Sequence, residues 1–273
     1  MTQVGVLQLN SNDEVDRNLD QMEAQLRRGK TLGAELIVVP ECFAFLGHEA
    51  AQLPIAESLP SGGPILERCA GLARELDLEL ILGGFWEKAS TPSRTRNACV
   101  QVRADGTVGA IYRKIHLFDV DLADGTKLKE SSSVEPGEEH VVADTRLGRL
   151  GLSVCYDLRF PELYRKLVSD GAIALAVPAA FTLTTGKDHW EVLLRARAIE
   201  QQSYVLAAAQ TGRHALSDGT AKRQSWGHAM IIDPWGTVLA QCGEGPGVAV
   251  ADIDPDVVAS IRASLPSLKH RRL

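Results

Sequence analysis

The sequence lacks a long hydrophobic run and an excess of basic residues. No segment approaches the roughly 20 consecutive apolar residues that cross a membrane, so we expect no membrane span. Lysine and arginine total 29 against 35 aspartates and glutamates, and the net charge of −6 is unlike the basic footprint of a nucleic-acid-binding protein. The first residues, Met1 to Val6, show no basic segment leading into an apolar stretch, so we also expect no signal peptide.

Paired-cysteine motifs are also missing. Cysteine occurs at positions 42, 69, 99, 155 and 242, and no two of these form a C-x-x-C pair. An odd number of dispersed cysteines is typical of reduced, mostly buried thiols. We therefore predict a cytoplasmic location, with at most one or two of the cysteines taking part in chemistry.

The order of apolar segments predicts one mixed α/β domain over residues 1–273, with helices covering sheets. Short apolar runs predict strands at 4–9, 36–39, 78–85, 150–154, 173–177 and 204–209. Helical spacing of apolar residues, or a proline at a helix start, predicts helices at 14–32, 64–76, 189–203 and 255–264, and one that opens near Pro161. Asp105-Gly106 predicts a hairpin over 97–113. Runs at 228–232, 238–241 and 247–253 predict an antiparallel meander.

Residues 114–138 are polar and irregular, and they predict a long loop that is a candidate lid. Within it, residues 119–130 superficially resemble a twelve-residue calcium loop. Glycine stands at the seventh rather than the sixth position and Ala123 at the fifth, which argues against calcium binding. A metallohydrolase would use His116, Asp119 and Asp121 as ligands. That alternative stays open, although we predict neither a metal nor a cofactor.

Three residues with complementary chemistry follow strand ends: Glu41, Lys114 and Cys155. Strand ends are where α/β folds place reactive groups, because the backbone there opens into a crevice. A thiol has a pKa of about 8.5 and needs help to attack at neutral pH. A carboxylate can take its proton, and an ammonium can stabilise the oxyanion that forms. Taken singly, each has an ordinary alternative: a helix cap for Glu41, a surface charge for Lys114 and a buried thiol for Cys155.

The segments around these residues resemble the three catalytic motifs of the nitrilase superfamily, in the same order. They are Pro40-Glu41, Tyr112-Arg113-Lys114-Ile115-His116-Leu117 and Gly151-Leu152-Ser153-Val154-Cys155-Tyr156-Asp157. The similarity continues through residues 158–163, 189–200 and 233–236. It implies a four-layer α-β-β-α sandwich, a homodimer or higher homo-oligomer, and a Glu-Lys-Cys triad. It also implies that Glu130 orients the substrate, with a solvated loop charge as the alternative.

Within the superfamily, the chain resembles two groups of amidases that act on small carboxylated amides. Residues 114–121 and 181–186 are similar to the omega-amidases, which hydrolyse 2-oxoglutaramate. Residues 207–214, 236–238 and 244–247 are similar to the deaminated glutathione amidases, which release 2-oxoglutarate and Cys-Gly. We predict the second activity. An omega-amidase, an N-carbamoyl hydrolase, a nitrilase and a non-catalytic binding protein are the alternatives.

Both substrates carry a carboxylate, which arginine binds well because its planar guanidinium donates two parallel hydrogen bonds. Arg159, four residues after Cys155, is the arginine closest in sequence to the nucleophile. Its alternative is a structural ion pair with Asp157 or Glu162. The N–H of Tyr156 is a second candidate donor to the oxyanion. Phe181 follows a strand and is expected either to line the pocket or to belong to the core.

Overall fold

The computed structural model describes residues 1–121, 127–221 and 223–272. The helices are α1 (Val15–Thr31), α2 (Gln52–Ile55), α3 (Pro64–Leu76), α4 (Pro161–Ser169), α5 (Leu183–Gln201) and α6 (Pro255–Ser264). The first strands are β1 (Thr2–Leu9), β2 (Leu36–Val39), β3 (Glu79–Lys88), β4 (Thr95–Val102), β5 (Val108–Arg113), β6 (Asp119–Asp121), β7 (Lys127–Lys129) and β8 (Val141–Thr145). The later strands are β9 (Gly148–Leu152), β10 (Ala174–Ala176), β11 (Tyr204–Ala207), β12 (Ala209–His214), β13 (Arg223–Trp226), β14 (Met230–Ile232), β15 (Val238–Gln241) and β16 (Gly247–Ile253).

Two large sheets contain most of these strands. The first has the order β13-β12-β1-β2-β3-β4-β5, and β16 also pairs with β1. The second has the order β15-β14-β11-β10-β9-β8. In both sheets the central strands are parallel and the outer ones are antiparallel. Parallel strands have to be covered on both faces, which is why β2 consists of four fully buried apolar residues.

Alternate residues of the central strands face two different cores. Val4, Val6, Leu36 and Val38 belong to one core cluster with residues of the second sheet, including Leu152 and Ala176. Leu7, Leu9, Ile37 and Val39 pack with residues of α1 and α3, including Met22 and Leu66. The second sheet in turn shares its core with α4 and α5 through Leu167 and Trp190. The layers are therefore helix, sheet, sheet and helix, which confirms the predicted α-β-β-α sandwich; a single domain over 1–273 stays a prediction.

Local sequence signals located several elements correctly. α1 buries Leu19, Met22 and Leu26, which are spaced as the predicted helix required. α3 begins at Pro64 and ends at Leu76 as predicted, because proline is favoured in the first helical turn. The predicted hairpin over 97–113 corresponds to β4 and β5.

The predicted strand 204–209 is confirmed over Tyr204–Ala207, as β11, whereas the predicted meander was wrong. The chain leaves the second sheet after β11 and enters the first as β12, so Ala208 lies between two strands. The meander fails for a related reason: β14 pairs with β15, but β16 crosses to the first sheet and pairs with β1 over seven residues. Which of the two sheets a strand joins depends on contacts between residues far apart in the chain, and hydrophobic periodicity does not report those contacts.

The remaining corrections concern polar segments. The predicted loop 114–138 contains a short antiparallel hairpin of β6 and β7, and residues 122–126 lie outside the described residues. The helix predicted at 189–203 begins six residues earlier, at Leu183, where Gly186 allows α5 to contact the side chain of Trp226. β8 and β13 were not predicted. None of the helices in the described part of the chain is long and apolar enough to cross a membrane.

Candidate active site

The three predicted catalytic residues meet where the two sheets face each other. Glu41 follows β2 and Lys114 follows β5, both in the first sheet, while Cys155 follows β9 of the second. Their relative exposures are 4%, 2% and 7%. The structure thus brings together three residues that the sequence placed at separate strand ends.

Cys155 has a backbone conformation that L-residues rarely adopt. Its φ angle is +48°, and it begins a 3-10 turn over Cys155–Arg159. The Cys155 N–H donates to the carbonyl of Pro178 over 2.9 Å, which ties the turn to the chain after β10. Left-handed backbone at a non-glycine residue costs about 1–3 kcal/mol and persists where the surroundings enforce it, often at functional sites. The strain gives the thiol a defined direction at the strand-to-helix turn.

The Lys114 ammonium bridges two carboxylates. Its Nζ atom lies 3.0 Å from Oε1 of Glu41 and 2.8 Å from Oε2 of Glu130. The Glu41 carboxylate also interacts with the Cys155 thiol, whose pKa its charge raises. Glu130 accepts from the N–H of Phe118 over 2.7 Å, so its carboxylate is held by the same loop that carries it. Glu41, Lys114 and Glu130 thus form one connected hydrogen-bond network beside the thiol.

Asn97 completes this network, and sequence reasoning missed it. Its Nδ2 donates to Oε1 of Glu41 over 3.0 Å and to Oε1 of Glu130 over 3.1 Å. The N–H of Ala180 donates to the second oxygen of Glu41 over 2.9 Å. Asn97 lies within a strand rather than at its end, and a backbone N–H has no side-chain signature, so the sequence carries no local signal for either donor.

The charges at the site follow from burial and from these contacts. Burial raises the pKa of Glu41, but the positive charges of Lys114 and Arg223 outweigh it, so the pKa is lowered overall. Burial opposes charge on Lys114, yet the adjacent carboxylates raise its pKa well above the usual value. Burial and the charge of Glu41 raise the pKa of the Cys155 thiol. At neutral pH the site therefore holds a carboxylate, an ammonium and a neutral thiol.

Asp157 connects the segment that carries Lys114 with the turn that begins at Cys155. Its carboxylate is fully buried and accepts from the Tyr112 hydroxyl over 2.7 Å and from the Val154 N–H over 2.8 Å. It also accepts from the His116 N–H and lies 2.8 Å from Nδ1 of the His116 ring. Tyr112 and His116 flank Lys114, so one carboxylate aligns the ammonium with the thiol. Three donors around one buried carboxylate are the usual way to stabilise such a group.

Two adjoining cavities open beside the nucleophile. The larger has a volume of about 700 Å³ and is lined by Glu41, Lys114, Glu130 and Cys155, and on its outer side by Glu49, Leu216 and Arg223. The smaller is a recess of about 10 Å³ whose lining includes Tyr156, Arg159 and Phe181. Cys155, Phe118 and Thr182 border both. The thiol therefore lies between a large cavity and a small recess.

Comparison with known proteins identifies the family. The sequence model of the family described as carbon-nitrogen hydrolase matches residues 3–263. The chain belongs to the carbon-nitrogen hydrolase family. A relative from Synechocystis sp. (strain PCC 6803 / GT-S), named deaminated glutathione amidase, is 44% identical over 97% of this chain and 96% of its own length.

Solved structures with this fold agree with that assignment. The NitFhit protein of C. elegans has a TM-score of 0.91 and 40% identity; the alignment covers 99% of this chain and 65% of the longer NitFhit chain. An amidase from Nesterenkonia sp. AN1 has a TM-score of 0.78 and 25% identity over 97% of this chain and 98% of its own. In that amidase, acrylamide has added to the active-site cysteine.

In this carbon-nitrogen hydrolase, the predicted substrate-binding residues surround the small recess. The Arg159 guanidinium lies over the rings of Tyr156 and Phe181, at 5.9 and 5.3 Å from their centroids, and 3.3 Å from Nδ1 of His189. Phe181 is 6% exposed and borders both the recess and the core, through Trp190.

The expected alternative for Arg159, an ion pair with Asp157 or Glu162, was wrong. Asp157 is occupied by other donors, and no ion pair of Arg159 occurs within residues 1–121, 127–221 and 223–272. Arg159 therefore reaches the recess as a cation whose nearest polar partner is the ring of His189.

The residues of the metal alternatives have protein partners. The His116 ring stacks on Phe160 at 3.7 Å and pairs with Asp157. Asp119 accepts from Ser131, and Asp121 lies 2.9 Å from Nζ of Lys127. In the described part of the chain, no group of three or more His, Cys, Asp or Glu side chains could hold a metal ion. The middle of the calcium-like segment 119–130, residues 122–126, lies outside the described residues.

Proposed function

We propose that this chain is a thiol amidase that hydrolyses deaminated glutathione to 2-oxoglutarate and Cys-Gly. The observation that carries the proposal is the cavity of about 700 Å³ beside Cys155, which has room for a dipeptide leaving group. An omega-amidase substrate ends at the scissile amide and needs no such space. Relatives named deaminated glutathione amidase, matched over nearly the whole chain, support the same substrate.

The first half of the reaction transfers the acyl group to sulfur. Glu41 takes the proton of Cys155 as the sulfur attacks the amide carbon and the carbonyl electron pair moves onto oxygen. Lys114, which is held as an ammonium, stabilises that oxyanion, and the N–H of Tyr156 is the proposed second donor. The carbon–nitrogen bond then breaks, and protonated Glu41 gives its proton to the departing amine of Cys-Gly.

The second half releases the acid. Water enters where the amine left, and Glu41 takes a proton from it as the oxygen attacks the thioester carbon. The carbon–sulfur bond breaks, 2-oxoglutarate leaves, and Glu41 returns the proton to the sulfur. Glu130 provides a second carboxylate for Lys114, so the ammonium keeps its position while Glu41 changes its protonation state. The reaction needs neither a metal nor a cofactor.

The test compares two substrates and two cysteine variants. Purified protein is incubated with deaminated glutathione or with 2-oxoglutaramate, and 2-oxoglutarate release is measured. We expect strong preference for deaminated glutathione. Cys155→Ser should lose turnover, whereas Cys242→Ser, at a buried cysteine outside the cavity, should keep it. Preference for 2-oxoglutaramate would make the chain an omega-amidase, and full activity of Cys155→Ser would overturn the thiol mechanism.

We also propose a homodimer or larger homo-oligomer that acts in the cytoplasm. Four exposed apolar side chains, which we call the apolar patch, belong to α5 (Val192 and Ile199), to the turn before β15 (Trp235) and to β15 itself (Leu239). The carbonyl of Gly236 accepts from Arg195 over 2.8 Å, which places the turn beside α5. Exposed apolar patches typically mark contact surfaces. The cytoplasmic location is supported by five cysteines that are all free, which favours a reducing compartment.

A further inference from the structure

We infer that Arg223 binds the carboxylate of the leaving group, and so selects substrates that end in a carboxylated dipeptide. This inference rests on the proposed function and deepens it. Arg223 is the first residue of β13 and pairs across the sheet edge with His214. It lines the large cavity but not the small recess.

The Arg223 guanidinium has unused hydrogen-bonding capacity. Its Nη2 donates to the carbonyl of Ala180 over 2.6 Å. Its Nε is buried and has no hydrogen-bond partner within the described residues. A buried donor without a partner is costly, so such a group is expected to meet an acceptor in the functional state. Guanidinium favours carboxylate, because two of its N–H groups match the two oxygens.

Two other basic residues of the cavity, Lys114 and His214, are already engaged. Lys114 lies between the carboxylates of Glu41 and Glu130. The His214 ring is hydrogen-bonded through both nitrogens, to the carbonyl of Ser11 and the hydroxyl of Ser225. Among the lysines and arginines in the described cavity lining, Arg223 is the one without a carboxylate partner. An anionic end of a bound substrate would supply that partner.

The position of Arg223 indicates which end of the substrate it meets. In deaminated glutathione, one carboxylate lies on the acyl side of the scissile amide and another ends the glycine of the leaving group. Of these two spaces, the recess with Arg159 is small, whereas the large cavity has room for a dipeptide. Arg159 and Arg223 lie in different cavities that share Cys155. Two arginines are thus available for two carboxylates, with the thiol between them.

A competing structural role would act through Glu41. Ala180 accepts from Arg223 at its carbonyl and donates from its N–H to Glu41. In the competing role, Arg223 would hold the general base in position without binding substrate. That role would lower kcat for every substrate. If Arg223 binds the leaving-group carboxylate, Arg223→Gln would in addition raise KM for the dipeptide substrate alone, because that carboxylate is not among the reacting atoms and its contact is equal in ground and transition states.

The experiment combines one substitution in the enzyme with one change in the substrate, as a double-mutant cycle combines two substitutions. Wild type and Arg223→Gln are assayed with deaminated glutathione, with its analogue carrying a glycine amide in place of the glycine carboxylate, and with 2-oxoglutaramate. Arg213→Gln, at an exposed arginine of the preceding strand, is the matched control. We expect the amide analogue to lower kcat/KM of the wild type about 10–100-fold, and Arg223→Gln to lower it equally for deaminated glutathione.

The decisive result is non-additivity. Arg223→Gln should lower kcat/KM for deaminated glutathione at least about tenfold more than for the amide analogue or for 2-oxoglutaramate. Any loss that follows from removing the positive charge near Glu41 is common to all three substrates and cancels in this comparison. Equal losses with all three substrates would overturn the inference and leave the proposed function standing. A wild type inactive on deaminated glutathione would overturn the proposed function itself, and this inference with it.

Discussion

The Nζ atom of Lys114 lies 3.0 Å from Oε1 of Glu41, and both side chains are almost fully buried. A buried ion pair is retained at a cost in desolvation, and removing one partner leaves an uncompensated charge. Glu130 provides a second carboxylate for the ammonium, at 2.8 Å from Nζ. Glu41 can therefore gain and lose a proton without leaving Lys114 unpaired, which is what a general base beside an oxyanion site requires.

Replacing Glu41 should separate chemistry from folding. Glu41→Gln keeps the shape of the side chain but cannot take the thiol proton, so we expect kcat to fall by at least about 10²-fold. Circular dichroism and melting temperature should stay close to wild type, because Lys114 retains Glu130. The control is Glu67→Gln at an exposed position of α3, which should keep full activity. Comparable activity of the two variants would contradict the assignment of Glu41.

Stability should fall in mild acid because of His214. Burial lowers the pKa of His214 to about 4, from an ordinary value of 6.5, so the folded protein holds this ring neutral. The unfolded chain binds the proton first as pH falls. The contribution of neutral His214 to the free energy of unfolding is therefore complete above pH 6.5. It is lost as pH falls from 6.5 to 4, which lowers the free energy of unfolding by about 3 kcal/mol.

Urea unfolding across this pH range measures the effect. The free energy of unfolding of His214→Gln should depend less on pH than that of wild type between pH 6.5 and 4. His48→Gln, at an exposed histidine, should retain the wild-type dependence. Parallel curves for wild type and His214→Gln would show that another group governs the acid response.

Gly84 should be irreplaceable because it lies against the candidate base. Its φ angle is +62°, and a Cβ there would overlap the backbone N of Cys42 and approach Cγ of Glu41 to 2.6 Å. We expect Gly84→Ala to destabilise the protein by at least about 2 kcal/mol and to lower kcat, because the clash and the positive φ act together. Gly71→Ala, on a helix with open space around it, should be neutral or stabilising by up to about 1 kcal/mol. Equal melting temperatures for the two variants would contradict this account.

The apolar patch should control oligomeric state. A charged residue at Val192, which is 66% exposed, would have to be desolvated in an interface, so Val192→Glu should weaken association. Light scattering after size-exclusion chromatography should give a multiple of the chain mass for wild type and a lower mass for the variant. Leu32→Glu, at an exposed apolar residue at the end of α1, should not change the mass. A monomeric wild type would contradict the proposed oligomer.

Much of the candidate site could be predicted from short-range sequence patterns. Glu41, Lys114 and Cys155 were found because each follows an apolar strand and because their chemistry is complementary. Glu130 was found through family resemblance alone, since nothing in its polar surroundings marks it. Asn97 and Arg223 were not predicted. Asn97 lies inside a strand, and Arg223 begins a strand that hydrophobic periodicity did not indicate.

The sequence by itself determined the α/β class, the boundaries of elements such as α3, and the identity of three candidate catalytic residues, because these depend on local spacing and on side-chain chemistry. Only the tertiary structure decided that the chain exchanges sheets after β11 and again before β16. The tertiary structure also decided that Asn97 and Ala180 donate hydrogen bonds to Glu41. It placed Arg223 in the lining of the large cavity and Arg159 in that of the small recess. Such contacts join residues far apart in the chain, and they follow from how two sheets pack face to face rather than from any local pattern.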